Sequence, residues 1–180
     1  MVLQTSGPIK FSQIASEFEN GAPYSISEFY GKKGLPASGT IRVNDFYGKY
    51  NTVNINLTIS SSTTNYNLKT ALLAAGWNGT TAVICTCTIN SGVTVYSTST
   101  GTYAWQTGSS YPFGTELYLV NNGTILGRGG NGGAGGSSGS NGSSGSGGGP
   151  ALFAGHSISI TNNGRIAGGG GGAGGGGAAS

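Results

Sequence analysis

The chain has 180 residues, and only 7% of them are charged, against roughly 25% in an average soluble domain. Its net charge of +3 is scattered, with no basic run longer than Lys32-Lys33, so the pattern excludes a nucleic-acid interface. Glu17, Glu19, Glu28 and Asp45 all lie in the first fifty residues, and beyond them Glu116 is the only acid. The surface of the C-terminal two-thirds must therefore be hydroxyls, amides and backbone. No stretch approaches the ~18 apolar residues of a membrane-spanning helix, so membrane insertion is not expected. Met1-Val-Leu-Gln-Thr-Ser-Gly-Pro8 has neither the basic start nor the apolar run of an export signal.

Residues 1–50 carry three copies of one pattern: Ser6-Gly-Pro-Ile-Lys-Phe-Ser-Gln-Ile14, Ala22-Pro-Tyr-Ser-Ile-Ser-Glu-Phe-Tyr-Gly31 and Ser38-Gly-Thr-Ile-Arg-Val-Asn-Asp-Phe-Tyr-Gly48. In each, an extended apolar residue leads into a one- or two-turn helix. Ser12, Ser27 and Asn44 are natural N-caps, and Gly31 and Gly48 fall just past the helix ends. Each unit is too small to bury a core alone. The segment reads as a docking arm that packs on something larger or on copies of itself; a small satellite subdomain is the plainer reading. Ile9, Phe11, Ile14, Ile26, Phe29, Tyr30, Ile41, Val43, Phe46 and Tyr47 are its candidate attachment residues.

Residues 51–126 read as a β-rich body. Thr52–Ile59 alternates, with Val53, Ile55, Leu57 and Ile59 on one face. Asn67–Ala75 is the one convincing helix, capped by Asn65 or Asn67 and ended by Gly76. Strands are predicted at Thr81–Ile89, Val93–Ser97, Tyr103–Gln106 and Thr115–Val120. Short strands at this turn spacing suggest a β-sandwich or an antiparallel sheet carrying one helix. Cys85 and Cys87 share one face of a strand and cannot easily bridge each other. They read as reduced, buried small residues, with an inter-subunit disulfide as the sharper option.

The tail, 127–180, belongs to a segment written twice. Leu117-Tyr-Leu-Val-Asn-Asn-Gly-Thr-Ile-Leu-Gly127 is followed by Ile158-Ser-Ile-Thr-Asn-Asn-Gly-Arg-Ile-Ala-Gly168, and each copy runs on into glycine. Asn-Asn-Gly between alternating apolar residues predicts a hairpin turn with φ > 0. Gly127, Gly130, Gly133, Gly136, Gly139, Gly142, Gly145 and Gly148 fall on every third residue. That period predicts helices of three residues per turn with one edge stripped of side chains. Ser, Asn and Ala fill the other positions where collagen would want proline, so a sideways-bonded polyglycine II-type array is expected rather than a stalk. A flexible linker would explain the composition but neither the period nor the second copy.

Catalysis has little to work with. A glycosidase needs paired carboxylates, and residues 51–180 offer only Glu116. The single His156 has no orienting acid in its neighbourhood, and two Cys with one His cannot make a tetrahedral zinc site. No glycine run ends in Gly-Lys-Ser/Thr, so there is no phosphate-binding loop. No catalytic residue, metal or cofactor is assigned. Recognition remains. Trp77, Tyr103, Trp105, Tyr111 and Phe113 could stack on sugar or protein, although core packing suits Trp77 and Trp105 better. Candidate contact residues of the glycine tip are Asn131, Ser137, Ser138, Asn141, Ser143, Ser144, Leu152, Phe153 and His156; an apolar pair in a polar run marks a contact surface.

The units Ile26-Ser-Glu-Phe-Tyr-Gly31 and Val43-Asn-Asp-Phe-Tyr-Gly48 resemble segments of tail and fibre proteins of tailed bacteriophages. Gly76-Trp-Asn-Gly79 and Asn121-Asn-Gly-Thr-Ile-Leu-Gly-Arg-Gly-Gly-Asn-Gly-Gly133 are similar to the glycine-rich distal part of phage fibres and tip adhesins. The resemblance implies a mainly β virion fibre protein, released by lysis and so needing no export signal. It would attach to tail, collar or capsid proteins through 1–50 and bind a host cell-surface protein or glycan through the loops of 131–156. Such fibres are trimeric, and a homotrimer would supply partners for the sheet edges and the arm. The alternative is a structural decoration protein with no receptor role.

Overall fold

A computed structural model describes residues 3–18, 25–32, 35–48 and 52–178. The chain forms two compact units, one of Met1–Asn54, Trp77–Ile84 and Tyr111–Glu116, the other of Ile55–Gly76, Cys85–Ser110 and Leu117–Ser180.

In the first unit the three N-terminal repeats pack on one another. A short helix α1 (Phe11–Glu17) and two 3-10 turns (Ile26–Phe29 and Val43–Phe46) each follow an extended residue. The caps sit two residues earlier than Ser12, Ser27 and Asn44, at Lys10, Ser25 and Arg42. At the first and third repeats a longer side chain inside the helix folds back. Gln13 Oε1 accepts from Lys10 N–H at 2.8 Å and Asp45 Oδ2 from Arg42 N–H at 2.6 Å. Gly31 and Gly48 end the second and third repeats at φ 71° and 68°.

Between repeats the same two bonds recur. Gly31 N–H donates to Pro36 O and the Tyr30 hydroxyl to Gly39 O; Gly48 N–H donates to Gln4 O and the Tyr47 hydroxyl to Gly7 O. The second repeat thus binds the third as the third binds the first. Its core has two equivalent sets, Leu3, Phe18 and Leu35 and then Ile14, Phe29 and Phe46, all buried. Phe18, Phe29 and Phe46 meet edge to face at centroid distances of 5.3 to 5.7 Å. Each such pair adds about 0.5–1.5 kcal/mol beyond burial. In the same unit Trp77 is buried, stacks on Tyr111 at 5.5 Å and donates its indole N–H to Thr81 O.

The body is mainly β, but its strands pair in parallel rather than forming an antiparallel sandwich. Among the described residues eleven strands make three sheets. The first, in order β1-β4-β7-β10, uses Thr52–Ile59, Ala82–Ile89, Glu116–Asn121 and Ser159–Asn162. The second, β11-β8-β5-β2, uses Arg165–Ala167, Thr124–Leu126, Thr94–Tyr96 and Thr63–Thr64. The third, β3-β6-β9, uses Tyr66–Asn67, Trp105–Gln106 and Leu152–Phe153. Successive turns of chain stack, so each strand meets its counterpart in the next turn. The sequence repeat is one such step: Ser159 lies on Tyr118, Asn162 on Asn121 and Ile166 on Ile125. Helix α2 (Leu68–Ala74) is capped by Asn67, whose Oδ1 accepts from Thr70 N–H at 3.2 Å, and ended by Gly76 at φ 95°.

The Asn-Asn-Gly segments are therefore corners between sheets and not hairpins. Neither Gly123 nor Gly164 has positive φ. Glycine is needed there for close approach: a Cβ on Gly123 would stand 2.3 Å from Val93 O, and one on Gly164 2.0 Å from Gly123 O. The corners are tied by side chains, Asn121 Nδ2 to Asn162 Oδ1 at 2.7 Å and Asn163 Nδ2 to Asn122 Oδ1 at 2.9 Å.

Cys85 and Cys87 are free, face inward and have no exposed surface, which leaves no route to an inter-subunit disulfide. Burial pushes the Cys85 thiol up to about 12, with Cys87 adding to the shift, and raises Cys87 to about 11 against the opposing influence of nearby Trp105 and Tyr66. Burial also raises the Tyr66 phenol. All three groups are neutral in the fold and ionise more easily unfolded. Their contribution is thus complete below pH 8.5–9, where unfolded thiols ionise, and is lost as pH rises toward 12. Native protein at pH 8 should leave both thiols unreactive to Ellman's reagent until denaturant is added, and denaturant midpoints should fall between pH 9 and 11. A Cys85→Ala/Cys87→Ala variant should be less stable at pH 7 but show a shallower alkaline fall.

Candidate functional site

After β8 the chain leaves the sheets as glycine. Three segments, 127–137, 140–149 and 167–177, run side by side and are joined by a regular ladder of backbone bonds. From the first to the third, N–H groups of Gly127, Gly130, Gly133 and Gly136 donate to the carbonyls of Ala167, Gly170, Ala173 and Gly176 at 2.7 to 2.9 Å. From the second to the first, Ser143, Ser146 and Gly149 donate to Ala134, Asn131 and Arg128. From the third to the second, Gly169, Gly172 and Gly175 donate to Gly149, Ser146 and Ser143. Every third residue takes part and the ring of donors closes.

Close approach within the bundle forces glycine at one residue in three along each segment, and the other glycines are free of it. A Cβ would stand 1.9 Å from Ser143 O at Gly133, 2.1 Å from Gly172 O at Gly145 and 1.9 Å from Asn131 O at Gly172. At Gly132 the nearest atom would be an ordinary 3.6 Å away, and at Gly147 nothing lies within 4 Å. The serines of the first run have their own task. Ser143 Oγ accepts from Ala134 N–H and Ser146 Oγ from Asn131 N–H, each at 2.7 Å, so they satisfy donors that a pure glycine segment would leave to water. Ser143, a candidate contact residue, thus bonds within the bundle, as does Ser146, which the sequence signals only by the spacing Ser140, Ser143, Ser146.

The candidate contact residues separate into two groups. Ser137, Ser138 and Asn141 are exposed around the turn where the first segment hands over to the second; Gly139 has φ 76° and Ser140 N–H donates to Ser137 O. Ser144 and Asn131 lie exposed along the segments. Leu152 and Phe153 are instead strand β9, back beside the start of the bundle. At ~3.1 Å per residue, the nine steps from Gly127 to Gly136 separate the two groups by roughly 28 Å. Phe153 stacks on Tyr103 at 4.7 Å, and His156 N–H donates to Thr107 Oγ1 at 3.2 Å. Leu152, Phe153 and His156 thus serve the third sheet and do not share a tip with 137–141. Trp105 is fully buried, as expected, and Phe113 is 76% exposed.

Of the attachment candidates, Ile14, Phe29 and Phe46 are core, and Ile9 and Ile41 pack partly against it. Tyr30 and Tyr47 tie the second repeat to the third and the third to the first. Phe11, Ile26 and Val43, the first residue of each short helix, are 41 to 48% exposed and occupy equivalent positions. Among the described residues no group of His, Cys, Asp and Glu could hold a metal, and no helix is long and apolar enough to cross a membrane.

Stacked parallel strands thus run on into a glycine bundle with a polar turn at its end. The chain belongs to the family of the phage tail fibre adhesin Gp38, whose family model matches residues 54–180. It is accordingly a component of the virion tail. No curated protein and no solved structure matches it.

The bundle depends on the inner glycines. Gly133→Ala, Gly145→Ala or Gly172→Ala should each destabilise the protein by about 1–3 kcal/mol or more, as overpacking does. Gly132→Ala and Gly147→Ala should stay within about 0.5 kcal/mol of the parent. Thermal unfolding of the five variants measures the contrast.

Proposed function

We propose that the chain is a non-enzymatic adhesin whose parts act in chain order: 1–50 attaches it to the virion, 51–126 forms the body, and the glycine bundle of 127–180 presents a contact surface to the host cell. The carrying observation is the exposed turn at 137–141, held at the far end of three segments that cross-link one another at every third residue. A polyglycine II-type bundle of this kind is rigid without side chains, so its turn can vary while its position does not. Low charge suits this use, since a neutral lattice loses nothing to salt.

Attachment is supported by the equivalence of the three repeats. Three equivalent apolar residues, Phe11, Ile26 and Val43, suit a virion partner whose surface repeats threefold. The expectation of a homotrimer rested on an arm and sheet edges in need of partners. The arm finds its partners within the chain, and the glycine segments bond to one another. Edge strands such as β1, β10 and β11 remain places where a further chain could add, and sedimentation of the purified protein measures whether one does.

Purified protein should compete with phage for adsorption to host cells, and replacing Ser137, Ser138, Ser140 and Asn141 with glycine should abolish competition without moving the unfolding temperature. Protein that enters virions but never competes would instead mark a structural decoration. Phe11→Ser/Ile26→Ser/Val43→Ser should lower incorporation into virions severalfold while leaving competition by the free protein intact.

A further inference from the structure

The second compact unit, 55–76 with 85–110 and 117–180, contains no Asp or Glu; its charges are Lys69, Arg128 and Arg165. A surface that carries cations and no anions favours an anionic ligand. Lys69 Nζ is engaged by the carbonyls of Ser109 and Ser110 at 2.8 and 2.9 Å. Arg128 is not held in this way. It is exposed at the start of the first glycine segment, with one long bond from Nη1 to Thr98 O at 3.4 Å.

Arg128 borders a recess of about 190 Å³ lined by Thr98, Ser99, Thr100, Gly129 and Asn131. The loop on its other side is fixed in advance. Asn65, at φ 48°, donates from Nδ2 to Thr98 Oγ1 at 2.7 Å and accepts from Thr98 N–H at 3.1 Å and from the Thr102 hydroxyl at 3.2 Å. Buried Ser97 Oγ lies 2.6 Å from Ser99 O and 2.8 Å from Thr102 O. The loop also sits against the bundle, where a Cβ on Gly149 would be 2.7 Å from Thr100 Cα. By contrast, the Thr100 hydroxyl and the Asn131 carboxamide bond to none of the described residues. A guanidinium, a hydroxyl and a carboxamide with unused capacity thus line one pre-shaped recess, and preorganised groups lose little on binding.

We infer that this recess binds an anionic hexose unit of a surface glycan, with its carboxylate or phosphate on Arg128 and its ring hydroxyls on Thr100 and Asn131. Arg suits either anion through paired N–H donors, and an amide with a hydroxyl supplies both donor and acceptor to vicinal sugar hydroxyls. The recess stands apart from the 137–141 turn. The inference rests on the adhesin reading for its setting, but its test does not.

Full-length protein is titrated with glucuronate, glucose 6-phosphate and glucose, followed by NMR. Glucuronate or glucose 6-phosphate should bind at least tenfold more tightly than glucose, and the stronger of the two names the anion. Arg128→Gln should remove that preference, Thr100→Val should weaken binding of the preferred sugar severalfold, and Arg165→Gln should change neither. Equal binding of all three sugars, no binding of any, or an Arg128→Gln variant that keeps the preference overturns the site. If the protein still blocks phage adsorption in those cases, the adhesin reading stands without this site. A preference lost in Arg128→Gln supports the site even where adsorption is not blocked.

Discussion

A carbonyl oxygen standing 1.8 to 2.2 Å from where a Cβ would be is the constraint on which the glycine bundle depends. Three backbones can bond to one another laterally only if their facing edges carry no side chains. Each segment therefore gives one residue in three to glycine and leaves the others free to vary. The freedom is used: serine at 143 and 146 returns hydrogen bonds to the neighbouring segment, Arg128 and Asn131 face solvent, and alanine at 134 and 173 costs nothing.

The same constraint governs the corners of the sheets. Gly123 and Gly164 lie beneath the backbone of the preceding turn of chain, and the Asn pairs beside them bond along the stack. Parallel stacking and the glycine bundle are one arrangement carried from strand to polyglycine. The repeat that places Ser159 on Tyr118 also brings Gly170 beside Gly130. An adhesin built this way holds its outer turn by backbone bonds that neither salt nor moderate pH can titrate. Its limit is alkaline, where the buried Cys85, Cys87 and Tyr66 must ionise.

The N-terminal repeats reach order by a different route. None of them buries a core alone, but each supplies one residue to each of two apolar layers, and backbone bonds tie the second to the third and the third to the first. Exposed apolar residues could not be separated from core residues by sequence, because Phe11 and Phe29 are the same residue type three positions out of register. Burial divides them: one set faces in, the other out.

Composition, the three-residue glycine period, the doubled segment, the helix at 68–74 and the paired inward cysteines were all legible in the sequence, because each rests on local spacing. The pairing direction was not. Asn-Asn-Gly fits a hairpin by turn propensity, and only the stacking of one turn of chain on the next makes it a corner in which glycine provides clearance instead of positive φ. The grouping of contact residues also waited for the tertiary structure. Leu152, Phe153 and His156 follow the bundle closely in sequence, but the second segment runs antiparallel to the first and returns them to its base. The recess at Arg128 likewise joins residues some thirty apart, and no local pattern encodes it.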